Sequence, residues 1–588
     1  MIGRIYALSQ AQLLKWLRCR VWIQEQLRPT EWQAMLGWAA VAGIFGALAA
    51  IVFTSLSEGV HELLTGSRAG VVESMRLLPA WGVILVPGLG GLLAGLVLLL
   101  GGRLAPGRSS TDYMEAILIG SGKISIRASL LKSSAALFSI GSGGSIGREG
   151  PMVQLAAVAA SFLGRWRQFT APQQRLLVAC GASAGIASAY NAPIAGSFFV
   201  AEIILSSIAM ESLGPLVVSA VAATLTIRAL TNAAHLYQVP AFHFGSPWEM
   251  GPYLLLSVLV GTVAPWFLRS LRRSERIFVG LKLPLALRLA LGGFIVGGLA
   301  VFVPEVCGNG YTVVVGILNG QFVWLGLLLI FACKWLATAS SFGSGAPGGV
   351  FTPSLFMGAS TGFLYGTALS NLWPSGLIDP RACALVGMGA FLAAVSHAPV
   401  MAIIMLFEMT LSYDIVLPLM LCSVVAYYTA RSLEGMSLYS ESLKKKAAAA
   451  PEGAAWGRNE VAALMKSNPP VIPPQATFTD IARMFLTVRV NNLYVVDADG
   501  RFLGAVSLHD IKPYLTDPHI AHLVVAGDLL HEDFRRLGPR QSLSEALDLF
   551  IGVEVERLPV VGGAGRLVGS LAKTDMLLAL AEQRAAHR

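Results

Sequence analysis

Charge is scarce in this chain. Asp, Glu, Lys and Arg make up 13% of its 588 residues, while 55% are hydrophobic. A soluble globular protein carries about 25% charged residues, so the deficit points to a membrane protein. Paired cysteines are also missing. Cys19, Cys180, Cys307, Cys333, Cys383 and Cys422 lie far apart and mostly in apolar segments. With no CxxC and no Cys/His cluster, neither a disulfide framework nor a zinc site is indicated. There is no P-loop, metal cluster or nucleophile–base set, which argues against an enzyme. The scattered histidines and the low charge argue against nucleic-acid binding. The N-terminus does not read as a signal peptide. Residues 1–32 hold Arg4, Lys15, Arg18, Arg20 and Arg28 among Leu and Trp. They read as a basic amphipathic helix on the membrane surface, or as an ordinary solvated helix end.

What charge there is sits unevenly. From about residue 33 to 443 the chain is a series of apolar runs. From about 459 onward it reads as a soluble domain close to neutral, so the net +9 belongs to the membrane part and its flanks. Lys/Arg bias sets orientation. The N-terminal helix, GRWRQ near Arg165, RSLRRSER at 269–276 and KKK at 444–446 should face the cytoplasm. Both termini and the soluble tail are then inside a multi-pass protein of the cytoplasmic membrane.

A spanning helix needs about 20 apolar residues. Runs at 35–53, 81–100, 253–268 and 323–336 approach that length. Others are cut by Gly and Pro: ACGASAGIASAYNAPIAG (179–196), GSGAPGGVFTP (343–353) and SHAPVMA (396–402). Non-helical backbone at membrane depth survives only when buried or lining a cavity, and broken helices mark binding sites in transporters. The chain also repeats itself. GSGGSIGREGP (141–151) matches GSGAPGGVFTP at an offset of 202 residues. CGASAGIASAYNAPIAGSFFVAEI (180–203) matches VGMGAFLAAVSHAPVMAIIMLFEM (386–409) at 206, placing Glu202 opposite Glu408. Two halves, about 33–235 and 249–443, arranged as an inverted repeat follow from this, with the ligand site where the Gly-rich breaks converge.

The breaks have a chemistry. A helix start carries unpaired N–H groups and partial positive charge, Gly lets a ligand approach the backbone, and Pro suits the first turn. GREGP before MVQLAAVAASFL and GVFTP before SLFMGASTGFL both have this form. Two such starts aimed at one point make an anion site without a full cation. Glu149, at one of them, can occupy the anion's place and leave when protonated. Alternatively it only caps the helix or pairs with Arg148. Arg148 itself reads as structural, paired in the interior.

GSGGSIGREGP, GGVFTP and SLYSESL together resemble the CLC family of chloride channels and chloride/proton antiporters, over about residues 33–443. The TDYMEA stretch after Ser110 looks most like the bacterial ClcB subgroup. The resemblance implies an α-helical inverted-repeat membrane fold with broken helices, and a homodimer with one anion path per subunit. It makes Glu149 the gating and proton-carrying glutamate. Its anion site comprises Gly147, Arg148, Gly150, Gly349, Val350 and Phe351, with the Val350 and Phe351 amides on the central anion and the Tyr439 hydroxyl on its inner side. Read alone, Tyr439 is equally an interfacial aromatic anchor. Two departures stand out. Where the family has GSGIP, this chain has GRSST at 107–111. That puts Arg108 at the serine position unless a local shift presents Ser109 or Ser110. In FFVAEIIL, Glu202 matches a mostly structural glutamate and Ile203 takes the place of the second proton-relay glutamate. Chloride coupled to protons, or passive chloride conduction, are both members of this family.

After a linker (444–458), the tail repeats at an offset of 65 residues. LYVVDADGRFLGAVSLHDI (493–511) matches LPVVGGAGRLVGSLAKTDM (558–576), each reading strand, turn, strand, helix. The two copies, 459–520 and 521–588, resemble a pair of α/β CBS domains. That resemblance implies an adenine nucleotide held at Ser507 and Asp510. In the second copy Ala572 replaces the hydroxyl while Asp575 remains. A purely structural or dimerising pair is the alternative.

Overall fold

The computed structural model describes residues 31–104, 113–118, 120–205, 210–231, 237, 247–372, 379–439, 460–488, 490–508, 510–511, 524–551 and 555–576. The N-terminal basic segment, Arg108, Ser109, Ser110 and Lys444–Lys446 lie outside these residues. The chain forms two compact units, Met1–Glu441 and Ser442–Arg588.

The first unit is helical. Among the described residues, seven helices are long and apolar enough to cross a membrane, including Gln33–Thr65, Ala80–Gly101, Met250–Gly280 and Trp324–Ser344. Their outward faces carry exposed large apolar side chains such as Val52, Leu225, Leu255 and Leu329. In water such surface would be costly; in lipid it is the solvent-facing side.

The two halves correspond element by element. Helix Glu149–Trp166 has its counterpart in Phe351–Leu372, Ala171–Tyr190 in Pro380–Ser396, and Met210–Thr231 in Val416–Leu433. The counterparts share their stops. Ala171–Tyr190 ends on Asn191 at φ 54°, and Pro380–Ser396 ends on His397 at φ 58°. Both are left-handed caps just before an Ala-Pro that starts the next helix. Gly143 and Gly345, at φ 91° and 92°, make the matching turns ahead of the two Gly-rich starts; only glycine adopts this backbone without strain.

The run ACGASAGIASAYNAPIAG is cut as expected, but at Asn191–Ala192 ahead of Pro193 and not at ACGASAG, through which Ala171–Tyr190 runs continuously. Its glycines serve close packing instead. A Cβ at Gly181 would meet Ala160 Cβ at 2.6 Å, and one at Gly185 would meet Val153 Cα at 2.6 Å. Small residues let helices approach in a membrane where apolar burial alone does not draw them together.

In the tail, β1 (Val471–Ile472) pairs parallel with β2 (Asn492–Val496), which pairs antiparallel with β3 (Phe502–Ser507). In the second copy β4 (Arg557–Val561) pairs antiparallel with β5 (Leu567–Ala572). Leu493 opposite Val506 recurs as Leu558 opposite Leu571, and the bulge at Val495/Val496 recurs at Val560/Val561. Each copy has its own core. Ile481, Leu493 and Val506 pack in one, and Ala546, Leu558 and Leu571 in the other. The lead-in segments cross over: Lys466 pairs with Ser570 of the second copy, and His531 with Ala505 of the first. The helix Phe478–Thr487 opens with a capping box from Thr477 and Asp480. The Thr477 hydroxyl holds the Asp480 carboxyl below its ordinary range.

Candidate anion site

The two Gly-rich starts meet. Gly147 N–H donates to Gly349 O at 2.7 Å, and Gly349 N–H donates to Gly147 O at 2.8 Å. This antiparallel bridge joins residues 202 apart and fixes the helix starts Glu149 and Phe351 beside each other.

Glu149 is the first residue of its helix and is only 4% exposed. Its carboxylate reaches across to the start of the opposite helix. Oε1 accepts from the Thr352 N–H at 3.0 Å, and Oε2 accepts from the Thr352 hydroxyl at 3.3 Å. A carboxylate can only accept, so the Thr352 proton points at Glu149. The Tyr190 hydroxyl, 2.9 Å from Thr352 Oγ1, must then donate to Thr352. A directed chain runs Tyr190, Thr352, Glu149. The partial positive charge of the opposite helix start offsets part of the cost of burying a carboxylate there.

The glycines supply room. A Cβ at Gly147 would collide with both carboxylate oxygens of Glu149, and one at Gly349 would come within 2.8 Å of Oε1. Their amides are committed to each other. The reading that placed Gly147 and Gly349 among the anion's partners is therefore narrowed: each contributes space rather than an N–H donor. Gly150 is less confined, its added Cβ meeting Gly348 and Gly349 at 3.5 Å. Val350 and Phe351 are buried at the second start. Arg148 caps the first helix through its backbone and is half-buried. It forms no salt bridge with any described residue, and its charge acts on Glu149 and Tyr311 from a greater distance.

Aromatic rings close the surroundings. Tyr190 lies on Phe351 with centroids 5.0 Å apart, Phe199 stands edge-on to Phe351 at 6.3 Å, and Tyr439 stands edge-on to Phe199 at 5.6 Å. Phe199 opens a π-helical turn, Phe199–Ile204, which contains Glu202 and Ile203. Such turns recur at functional sites. Glu202 accepts from Val400 N–H at 3.2 Å and Met401 N–H at 2.7 Å, at the start of the other half's helix Pro399–Thr410. Thr352, Tyr190 and Phe199 were not singled out by the sequence. The VFTP context of Thr352 and the YNAP context of Tyr190 were the available signals.

In the tail, Asp510 Oδ2 accepts from the Ser507 N–H at 3.0 Å and lies 3.0 Å from His531 Nε2. Asp575 Oδ1 pairs with Lys466 Nζ at 3.0 Å. His531 and Lys466 are equivalent residues of the two copies, each reaching the carboxylate of the other.

Residues 89–431 match the family model described as voltage gated chloride channel, and residues 461–517 and 526–582 match the CBS domain. A ClcB-like chloride channel protein of Ralstonia nicotianae is 50% identical over 415 residues, covering 70% of this chain and 97% of that protein. The voltage-gated ClC-type chloride channel ClcB of Escherichia coli O17:K52:H18 is 40% identical over 412 residues, covering 69% and 98%. A crystal structure of a slow cyanobacterial Cl−/H+ antiporter superposes with TM-score 0.63 at 27% identity, covering 71% of this chain and 98% of that one. A eukaryotic CLC transporter shares the fold at 20% identity and TM-score 0.61, covering 92% of this chain and 97% of that one.

Proposed function

This chain belongs to the voltage-gated chloride channel (CLC) family, and from that premise we propose that it exchanges chloride for protons across the cytoplasmic membrane, with Glu149 as gate and proton carrier. The observation that carries the reading is the Glu149 carboxylate held by the Thr352 N–H and hydroxyl at the opposite helix start. An ionised carboxylate there fills the place of an anion. Once protonated, it loses most of its attraction to the helix ends and can leave, and chloride then takes the vacated donors. The Tyr190–Thr352 chain can turn its hydroxyls to suit either state. Val350 and Phe351 line the central position in this reading, with Gly150 beside them and Tyr439 on the inner side. Ser109 or Ser110 would supply a hydroxyl. A homodimer with one path per subunit is part of the same proposal.

A passive chloride channel is the second reading. Ile203 favours it, because an alkyl side chain cannot carry a proton. Its neighbour Glu202 is already committed to the Val400 and Met401 amides. For the tail we propose one adenine-nucleotide site at Ser507 and Asp510. A ribose there has to displace His531 from Asp510, and Lys466 from Asp575 in the weaker copy.

Purified protein in proteoliposomes tests the transport reading. A chloride gradient is imposed with voltage clamped by potassium and valinomycin, and chloride and proton movements are recorded together. Uphill proton movement driven by chloride supports exchange. Chloride flux without proton movement supports the channel, and absence of chloride flux overturns both.

A further inference from the structure

Helix Met250–Gly280 has 31 residues. At 1.5 Å per residue it is about 46 Å long, longer than a hydrocarbon core of about 30 Å. Its last three turns carry four arginines with two different fates. Arg269 Nε and Arg272 Nη2 share the Glu434 carboxylate at 3.1 and 2.7 Å, and Arg269 also donates to Leu433 O at 2.6 Å. Burial would raise the Glu434 carboxyl, but the two guanidiniums prevail and hold it below its ordinary range. Arg273 and Arg276 are exposed, one turn apart on the same face. They form no ion pair with any described residue, and Glu275 between them is half-buried with an interaction of its own.

Arg273, Arg276 and Ile277 line an open depression of about 400 Å³. On the lipid side of the arginines the same helix face carries exposed Leu255, Leu259 and Trp266, with Trp266 two turns before Arg273. Tryptophan at such a place is an interfacial anchor. Two guanidiniums with no ion pair among the described residues, each able to hold a phosphate through paired N–H donors, therefore sit where a helix leaves the lipid. A soluble phosphate would use only the charges; a phospholipid uses the charges and the alkyl apron together.

We infer that this corner is a binding site for an anionic phospholipid, its phosphate on Arg273 and Arg276 and its chains running back into the lipid along Trp266, Leu259 and Leu255. The lipid site does not depend on which transport mode holds.

The test is native mass spectrometry of the full-length protein titrated with phosphatidylglycerol, with phosphatidylcholine and with inorganic phosphate. The expected result is tighter retention of phosphatidylglycerol than of phosphatidylcholine. It should weaken about tenfold in R273Q/R276Q and by a smaller factor in R276Q, with no displacement by millimolar phosphate. The single variant keeps the test valid if the double variant does not fold. Equal retention of both lipids, unchanged retention in R276Q, or displacement by inorganic phosphate would each overturn the assignment.

Discussion

Glu202 and Glu408 cap each other's halves. Glu202 accepts from Val400 and Met401 N–H at the start of Pro399–Thr410, and Glu408 accepts from Ile194 and Ala195 N–H, at 3.0 and 2.7 Å, at the start of Pro193–Phe198. The two glutamates are 206 residues apart, as are the two amide pairs they serve. Each carboxylate satisfies two helix-start donors that have no partner in their own helix, so the repeat is locked by exchange rather than by each half alone.

Neutralising either glutamate should cost stability. Hydrogen bonds to a charged group contribute about 1.5–3 kcal/mol each, and an amide offers only one accepting oxygen. Glu202→Gln and Glu408→Gln are expected to destabilise by about 1–3 kcal/mol each and by similar amounts. Thermal unfolding midpoints in detergent measure this, with Glu58→Gln, on an exposed position, as the control. A midpoint unchanged in both variants would mean that the caps do not hold the halves together.

Thr352→Val removes a hydroxyl that donates to Glu149 and accepts from Tyr190, while the 352 amide stays. The seated, ionised carboxylate loses one donor, so less acid is needed to release it. Chloride flux at neutral pH should rise, and its acid activation should move about one pH unit upward, which corresponds to about 1.4 kcal/mol. Flux measured against pH in proteoliposomes decides it. An unshifted profile would remove the hydroxyl from the gate.

Gly147→Ala deletes no hydrogen bond, because the Gly147 donor and acceptor are both backbone groups. Its Cβ would collide with the Glu149 carboxylate. The variant should therefore resemble a chain without a seated carboxylate, with chloride flux that hardly changes with pH. A wild-type pH profile would show that the carboxylate does not rest against this glycine.

For the tail, ATP should raise the unfolding temperature of the full-length protein. Asp510→Ala should abolish that shift, and Asp575→Ala should leave most of it. No shift in the wild type would make the pair purely structural, and an equal shift in Asp510→Ala would take Asp510 out of the nucleotide site.

Much of this architecture was legible because both internal repeats are written in small, special residues. Gly-Ser-Gly spacing marked the two starts, and NAP against HAP marked the two caps. The 65-residue offset marked the paired tail strands. What stayed hidden are the partners across the repeat. Nothing local in FTPS says that the Thr352 amide and hydroxyl serve a carboxylate 203 residues away. The same holds for Glu408, which the alignment placed opposite Glu202 without revealing that the two exchange partners. The glycines of ACGASAG misled for a physical reason. Helix-breaking and close helix packing both select glycine, and only the Ala160 and Val153 neighbours tell them apart.

Glu149→Gln tests the central claim most directly. Chloride flux from proteoliposomes is measured between pH 4.5 and pH 7.5 for wild type and variant. If the carboxylate is gate and proton carrier, the wild type is activated by acid. The variant then conducts chloride at all pH values with no activation and no proton movement. If the variant keeps the wild-type dependence on pH, Glu149 is only a helix cap and the gate lies elsewhere.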